Sequence, residues 1–145
     1  MNLKEDKLKR KNRRHYFFLN PYKDDAFTKC PKCESTTLLR KFPLVIHIKP
    51  RQVLILNKKC RYCARCDLII ARKPVVESLM AAICEERNPE IVGNDYLIMG
   101  TLEKRDWRAR NSFDNDVDTL ERTYVFKGVW DFESVHFGWY PTKNL

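Results

Sequence analysis

Five of the six cysteines in this 145-residue chain fall into two clusters, Cys30-Pro-Lys-Cys33 and Cys60-Arg-Tyr-Cys63-Ala-Arg-Cys66. Thiolates at CxxC spacing suit metal binding: both sulfurs of a tight turn converge on one soft cation, and two such turns complete a tetrahedral shell. Zinc is the ion this donor set favours, one per chain. Four thiolates leave no open coordination position, so the ion would hold structure and not do chemistry. The later cluster offers three cysteines where two suffice. Cys63-Ala-Arg-Cys66 feeds straight into an apolar strand and mirrors Cys30-Pro-Lys-Cys33, so the expected ligands are Cys30, Cys33, Cys63 and Cys66. Cys60 is then a spare thiol at the end of the incoming strand. The alternative register takes Cys60 with Cys63 and leaves Cys66 over. Reduced free cysteines and an iron–sulfur cluster are the competing states.

The elements that must position these cysteines can be read around them. Residues 38–48 and 52–59 are β-rich runs separated by Lys49-Pro50-Arg51, a loop suited to a hairpin. Residues 67–73 form a third short strand. The 26 residues between Cys33 and Cys60, or 29 to Cys63, exceed the usual ~15–20, and two long strands absorb the difference. In this order of cysteine pair, hairpin, cysteine pair and strand, residues 30–73 resemble the zinc-ribbon fold group. The resemblance covers about a third of the chain. It implies a bound metal but no single role, since zinc ribbons occur in transcription factors, ribosomal proteins, polymerase subunits and enzyme appendages. One departure stands out: glycine often follows the second cysteine of each pair in that group, and here Glu34 and Asp67 do.

Pro74 opens the clearest helix, since proline is tolerated at the first helical position. Val76, Leu79, Met80 and Ile83 give it an apolar face, and Asn88-Pro89 ends it. Gly93-Asn94-Asp95 reads as a turn, and residues 96–102 as a strand extending toward Trp107. Asp118 and Glu121 suggest a capping box for a helix reaching about Lys127, although TYVFKGVW is rich in β-formers. The tail, 135–141, is aromatic and strand-like. Residues 1–14 form a basic arm too polar to pack, and His15–Leu19 an aromatic cluster that anchors it. The expected architecture is α+β: a small three-stranded antiparallel zinc ribbon, an amphipathic helix and a mixed α/β C-terminal segment. The units are a basic disordered arm (1–14), a ribbon lobe with its aromatic lead-in (15–73) and a segment packing on the ribbon (74–145).

Charge is uneven along the chain. Of the net +9, residues 30–73 hold eleven Lys/Arg against two Asp/Glu, whereas residues 74–145 hold eight against thirteen. Such asymmetry points to an acidic partner, nucleic acid first, or to one half docking on the other. No apolar run approaches the ~20 residues of a membrane span. Reduced, clustered cysteines suit a cytoplasmic protein with no membrane partner. Lesser features take plainer readings. Cys84 reads as a small buried hydrophobe, His47 as a satisfied or surface histidine, and the aromatics as core. Asp114-Asn-Asp116-Val-Asp118 lacks the glycine and glutamate of a calcium loop. CPKC without a βα context is no redox motif. The function expected first is a non-enzymatic zinc-stabilised binding module. Its contacts to nucleic-acid phosphates would come from the arm and from Lys32, Arg40, Lys41, Lys58, Lys59, Arg61, Arg65, Arg72 and Lys73. The alternatives are a protein–protein adaptor with the ribbon as scaffold, and an enzyme assembled from scattered Asp, Glu and His.

Overall fold

The computed structural model describes residues 13–113, 115–130 and 139. Apolar and β-branched runs on either side of the Lys49-Pro50-Arg51 loop form a long antiparallel hairpin, β2 (Leu38–Ile48) with β3 (Gln52–Cys63), in register from Leu38 opposite Tyr62 to Ile48 opposite Gln52. The far end of β3 turns through the second cysteine cluster into antiparallel β4 (Leu68–Arg72). On the other side of the hairpin, β5 (Tyr96–Thr101) pairs antiparallel with β2. The aromatic segment that sequence reading treats as an anchor is a strand, β1 (Tyr16–Asn20), running parallel to β4. Two short strands, β6 (Tyr124–Val125) on β5 and β7 (Gly128–Trp130) parallel to β1, complete a seven-stranded sheet in the order β6-β5-β2-β3-β4-β1-β7.

The sheet curls until its two edges meet. β6 and β7 occupy opposite ends of the strand order, yet only Phe126 and Lys127 separate them in the chain. Residues 124–130 therefore seal one edge to the other. The Phe126 amide donates to Met99 of β5 at 3.0 Å, the Arg14 amide to Val125 at 2.8 Å, and the Lys127 amide to His15 at 2.7 Å. His15 sits at φ 67°, left-handed backbone that costs a residue with a Cβ. Arg13 and Arg14, grouped with the basic arm on sequence grounds, belong to this seam: Arg13 bridges Val125, and the Arg14 guanidinium lies 4.1 Å above the Tyr124 ring.

Strand alternation sorts the apolar side chains onto two faces. Phe17, Phe42, Leu44, Ile46, Ile48, Leu54, Leu56, Ile69 and Ala71 fill the interior, where Phe17 stacks on Phe126 at 4.7 Å between ring centres. Their neighbours Phe18, Leu68 and Ile70 point outward into a second cluster containing Cys30 and Cys63. Helix α1 (Lys73–Arg87) begins one residue before Pro74, which sits in its first turn, and is capped at Asn88 as expected. Its buried face is Val76, Met80, Ala81 and Cys84, with Leu79 39% exposed, so it is rotated from the expected one. Cys84 is indeed a buried core residue. Glu77 joins α1 to β5, accepting from the Tyr96 hydroxyl at 2.7 Å and from the Lys73 ammonium at 2.8 Å.

Three expectations change beyond β5. The strand stops at Thr101, and Trp107 lies on a short helix, α2 (Lys104–Arg108). The next helix, α3 (Asp116–Arg122), is capped by Asn115, whose side chain accepts from the Asp118 amide at 3.0 Å. Asn115 lies three residues ahead of the expected cap, and β-forming Tyr124–Trp130 goes into the seam instead of prolonging the helix. The expected strand over 135–141 falls outside the described residues apart from Trp139, which is buried and donates to the Asn94 carbonyl at 2.6 Å.

Gly100 sits where β6 crosses β5. A Cβ there would lie 2.0 Å from the Tyr124 carbonyl oxygen, so backbone must move to admit it. Gly100→Ala is expected to lower unfolding free energy by about 1–3 kcal/mol, the usual cost of overpacking, read from the urea midpoint.

Candidate metal centre

Each cysteine pair lies on a tight loop. The first spans a small antiparallel turn in which the Cys30 amide donates to Ser35 and the Glu34 amide to Cys30. The second is the β3–β4 connection. Both loops need left-handed backbone just after their second cysteine, and Glu34 (φ 63°) and Asp67 (φ 54°) supply it at the positions where glycine was expected. In each, the first cysteine's sulfur accepts a backbone N–H: Lys32 to Cys30 and Cys66 to Cys63, both at 3.4 Å.

The loops bring Cys30, Cys33, Cys63 and Cys66 together, with all four sulfurs within 4.8 Å of one another. The Cys30–Cys66 edge is 3.9 Å and the Cys33–Cys63 edge 3.5 Å. A tetrahedron with Zn–S bonds of ~2.3 Å has edges of ~3.8 Å. The donor set thus fits a tetrahedral soft cation closely. Cys60 is elsewhere: its thiol lies in the barrel interior, hydrogen-bonded to the Lys58 carbonyl at 3.4 Å. Burial pushes the Cys60 thiol up to about 12, and it stays protonated.

Electrostatics favour a cation among the four. Hydrogen bonds from the Ser35 side chain and backbone draw the Cys33 thiol down to about 6. The hydrogen bond with Cys33, joined by burial, drives Cys66 up to about 12, and burial raises Cys63. One thiolate among close neighbours opposes ionisation of the next, and a coordinated divalent ion reverses that order.

Asp67 links this centre to the seam. Its carboxylate accepts from the Tyr62 hydroxyl at 2.6 Å and from Lys127 at 3.1 Å, and lies 2.5 Å from His15 Nδ1. Burial alone would raise this carboxyl, but the bonds from Tyr62, His15 and Lys127 outweigh it and hold it at about 2. None of these partners lies close to Asp67 in sequence except Tyr62. The only local trace of them is an acidic residue where the turn asks for glycine.

The expected basic contacts scatter over the surface. Lys32, Arg40, Lys41, Lys59, Arg65 and Arg72 are exposed, while Lys58 and Arg61 are half-buried. Arg40 lies over the Phe42 and Tyr62 rings at 5.0 and 5.4 Å. Among the described residues none of these eight forms an ion pair. Lys73 differs: its ammonium is held by Glu77 with only 16% of the side chain exposed, which withdraws it from any outward-facing set.

Two pairs of variants test this geometry. Cys60→Ala is expected to keep one equivalent of zinc by elemental analysis, and Cys66→Ala to lose it. Glu34→Gly should raise stability by up to about 1 kcal/mol by relieving left-handed strain. Asp67→Gly, at the same backbone angle, should cost more than about 2 kcal/mol through its lost charge-assisted bonds. No known protein family, curated protein or solved structure matches the chain, and the geometry of the four thiols is what speaks for its function.

Proposed function

We propose that this chain is a non-enzymatic binding module stabilised by one zinc ion on Cys30, Cys33, Cys63 and Cys66, and that its basic surface contacts nucleic-acid phosphates. The observation that carries the metal half is the pair of sulfur edges, 3.5 and 3.9 Å, on either side of the tetrahedral zinc value. A closed thiolate shell leaves the ion no position for substrate, so its part is to hold two loops together. The residues around it form a small outer cluster of Phe18, Leu68 and Ile70 with partly buried Phe27 and Trp130. That is little core, and metal affinity would supply much of its folding energy.

The nucleic-acid half is supported by charge. Eight of the nine cations proposed from sequence lack an ion pair among the described residues, so their charge is available to a polyanion. Among the described residues no helix is long and apolar enough to cross a membrane. Phosphate contacts of this kind give affinity with little sequence information and release counterions.

Binding of the zinc-loaded protein to a labelled oligonucleotide should weaken at least tenfold between 50 and 200 mM salt, in line with about three or more phosphate contacts. A flat salt dependence would sink the nucleic-acid reading and leave the metal reading intact. Removing residues 1–12, which hold five Lys/Arg but spare the seam residues Arg13 and Arg14, should lower affinity and reduce that slope.

A further inference from the structure

The outer face of the sheet carries a group of cations on neighbouring strands. Lys41 of β2 is directly opposite Lys59 of β3. The β3–β4 ladder ends at the Arg61–Ile70 pair; beyond it Lys59 of β3 and Arg72 of β4 line the same cleft, and Arg72 in turn pairs with Asn20 of β1. By strand alternation, Arg72, Lys59 and Lys41 share one face and form a file across the neighbouring strands β4, β3 and β2. All three are exposed. Like charges directly opposite destabilise a sheet, and among the described residues no carboxylate pairs with any of them.

Beside the file lies a cleft of about 280 Å³, walled by Ala26, Leu39, Ile70 and Arg61 together with Lys59 and Arg72, and no described carboxylate lines it. Leu39, directly opposite Arg61 across the hairpin, is 55% exposed. Asn20 shapes the far wall: buried, it donates to the Asp25 carbonyl and accepts from the Tyr22 amide, each at 2.8 Å.

We infer that this file and its cleft form the seat of a single-stranded polynucleotide, whose backbone crosses β4, β3 and β2 from Arg72 past Lys59 to Lys41. The inference rests on the nucleic-acid reading above and locates it. A lone small anion would answer one or two of these charges, whereas a linear polyanion meets all of them in turn. The exposed Leu39 beside the charges suits the apolar face of a sugar or base. A duplex is stiff on this length scale and cannot thread a cleft of this volume.

The test uses the full zinc-loaded chain with labelled 20-mers of single-stranded DNA, single-stranded RNA and the DNA duplex at low salt. Wild type is expected to bind either single strand more tightly than duplex. Lys59→Glu and Lys41→Glu should each weaken single-strand binding at least tenfold, and Arg51→Glu, an exposed charge in the β2–β3 turn eight residues from Lys59, less than twofold. Lys41→Glu also places opposite charges across the hairpin, so it should melt no lower than wild type while binding worse, which separates lost contact from lost fold. Tighter duplex binding, or file variants within twofold of wild type, would overturn the inference while leaving the nucleic-acid reading standing. No binding to any 20-mer would overturn both.

Discussion

Four sulfurs within 4.8 Å of one another make an arrangement that water and protons do not favour and a soft divalent cation does. Much of the structure follows from meeting that demand. The first pair of ligands stands on a loop between β1 and β2, and the second on the turn between β3 and β4. An ion at their centre would cross-link two points about thirty residues apart and pin the loop against the outer face of β1 and β4. Phe18, Leu68 and Ile70 supply that face because strand alternation sends their neighbours Phe17, Ile69 and Ala71 inward.

The metal lobe and the barrel are not independent, and Asp67 is the reason. It is at once the left-handed residue that completes the second cysteine turn and the carboxylate that gathers Tyr62, His15 and Lys127. His15 and Lys127 belong to the seam where residues 124–130 close the sheet. Correct geometry at the cysteine turn and correct closure of the barrel therefore share one side chain. Neither glycine, which fits the turn, nor a residue confined to right-handed backbone, could serve both ends.

The legible and illegible parts of the fold divide by range. The hairpin was readable because alternation and the Lys49-Pro50-Arg51 break are local, and α1 because Pro74 and Pro89 bracket it. The four clustered cysteines followed from spacing, and the choice of Cys66 over Cys60 from the strand that follows directly. What sequence did not disclose was membership. The three expected ribbon strands sit within a seven-stranded sheet, since parallel pairing of β1 with β4 is a non-local event that no periodicity announces. Residues 119–127 misled for a related reason: capping chemistry at Asp118 and β-propensity after Thr123 are both genuine. The chain uses each in turn, with a shorter helix capped from Asn115.

The seam has a bearing on how the chain is made. Among the described residues every other strand precedes residues 124–130, so a sheet formed before they join has both margins bare. One margin is β5 and the other β1, and each is an invitation to pair with a neighbouring chain. The exposed lysines and arginines on β2 to β4 give such an open sheet like charge along its face, which opposes pairing with another copy. The same cations that would greet a polyanion in the finished molecule would thus also work against self-association before the sheet closes.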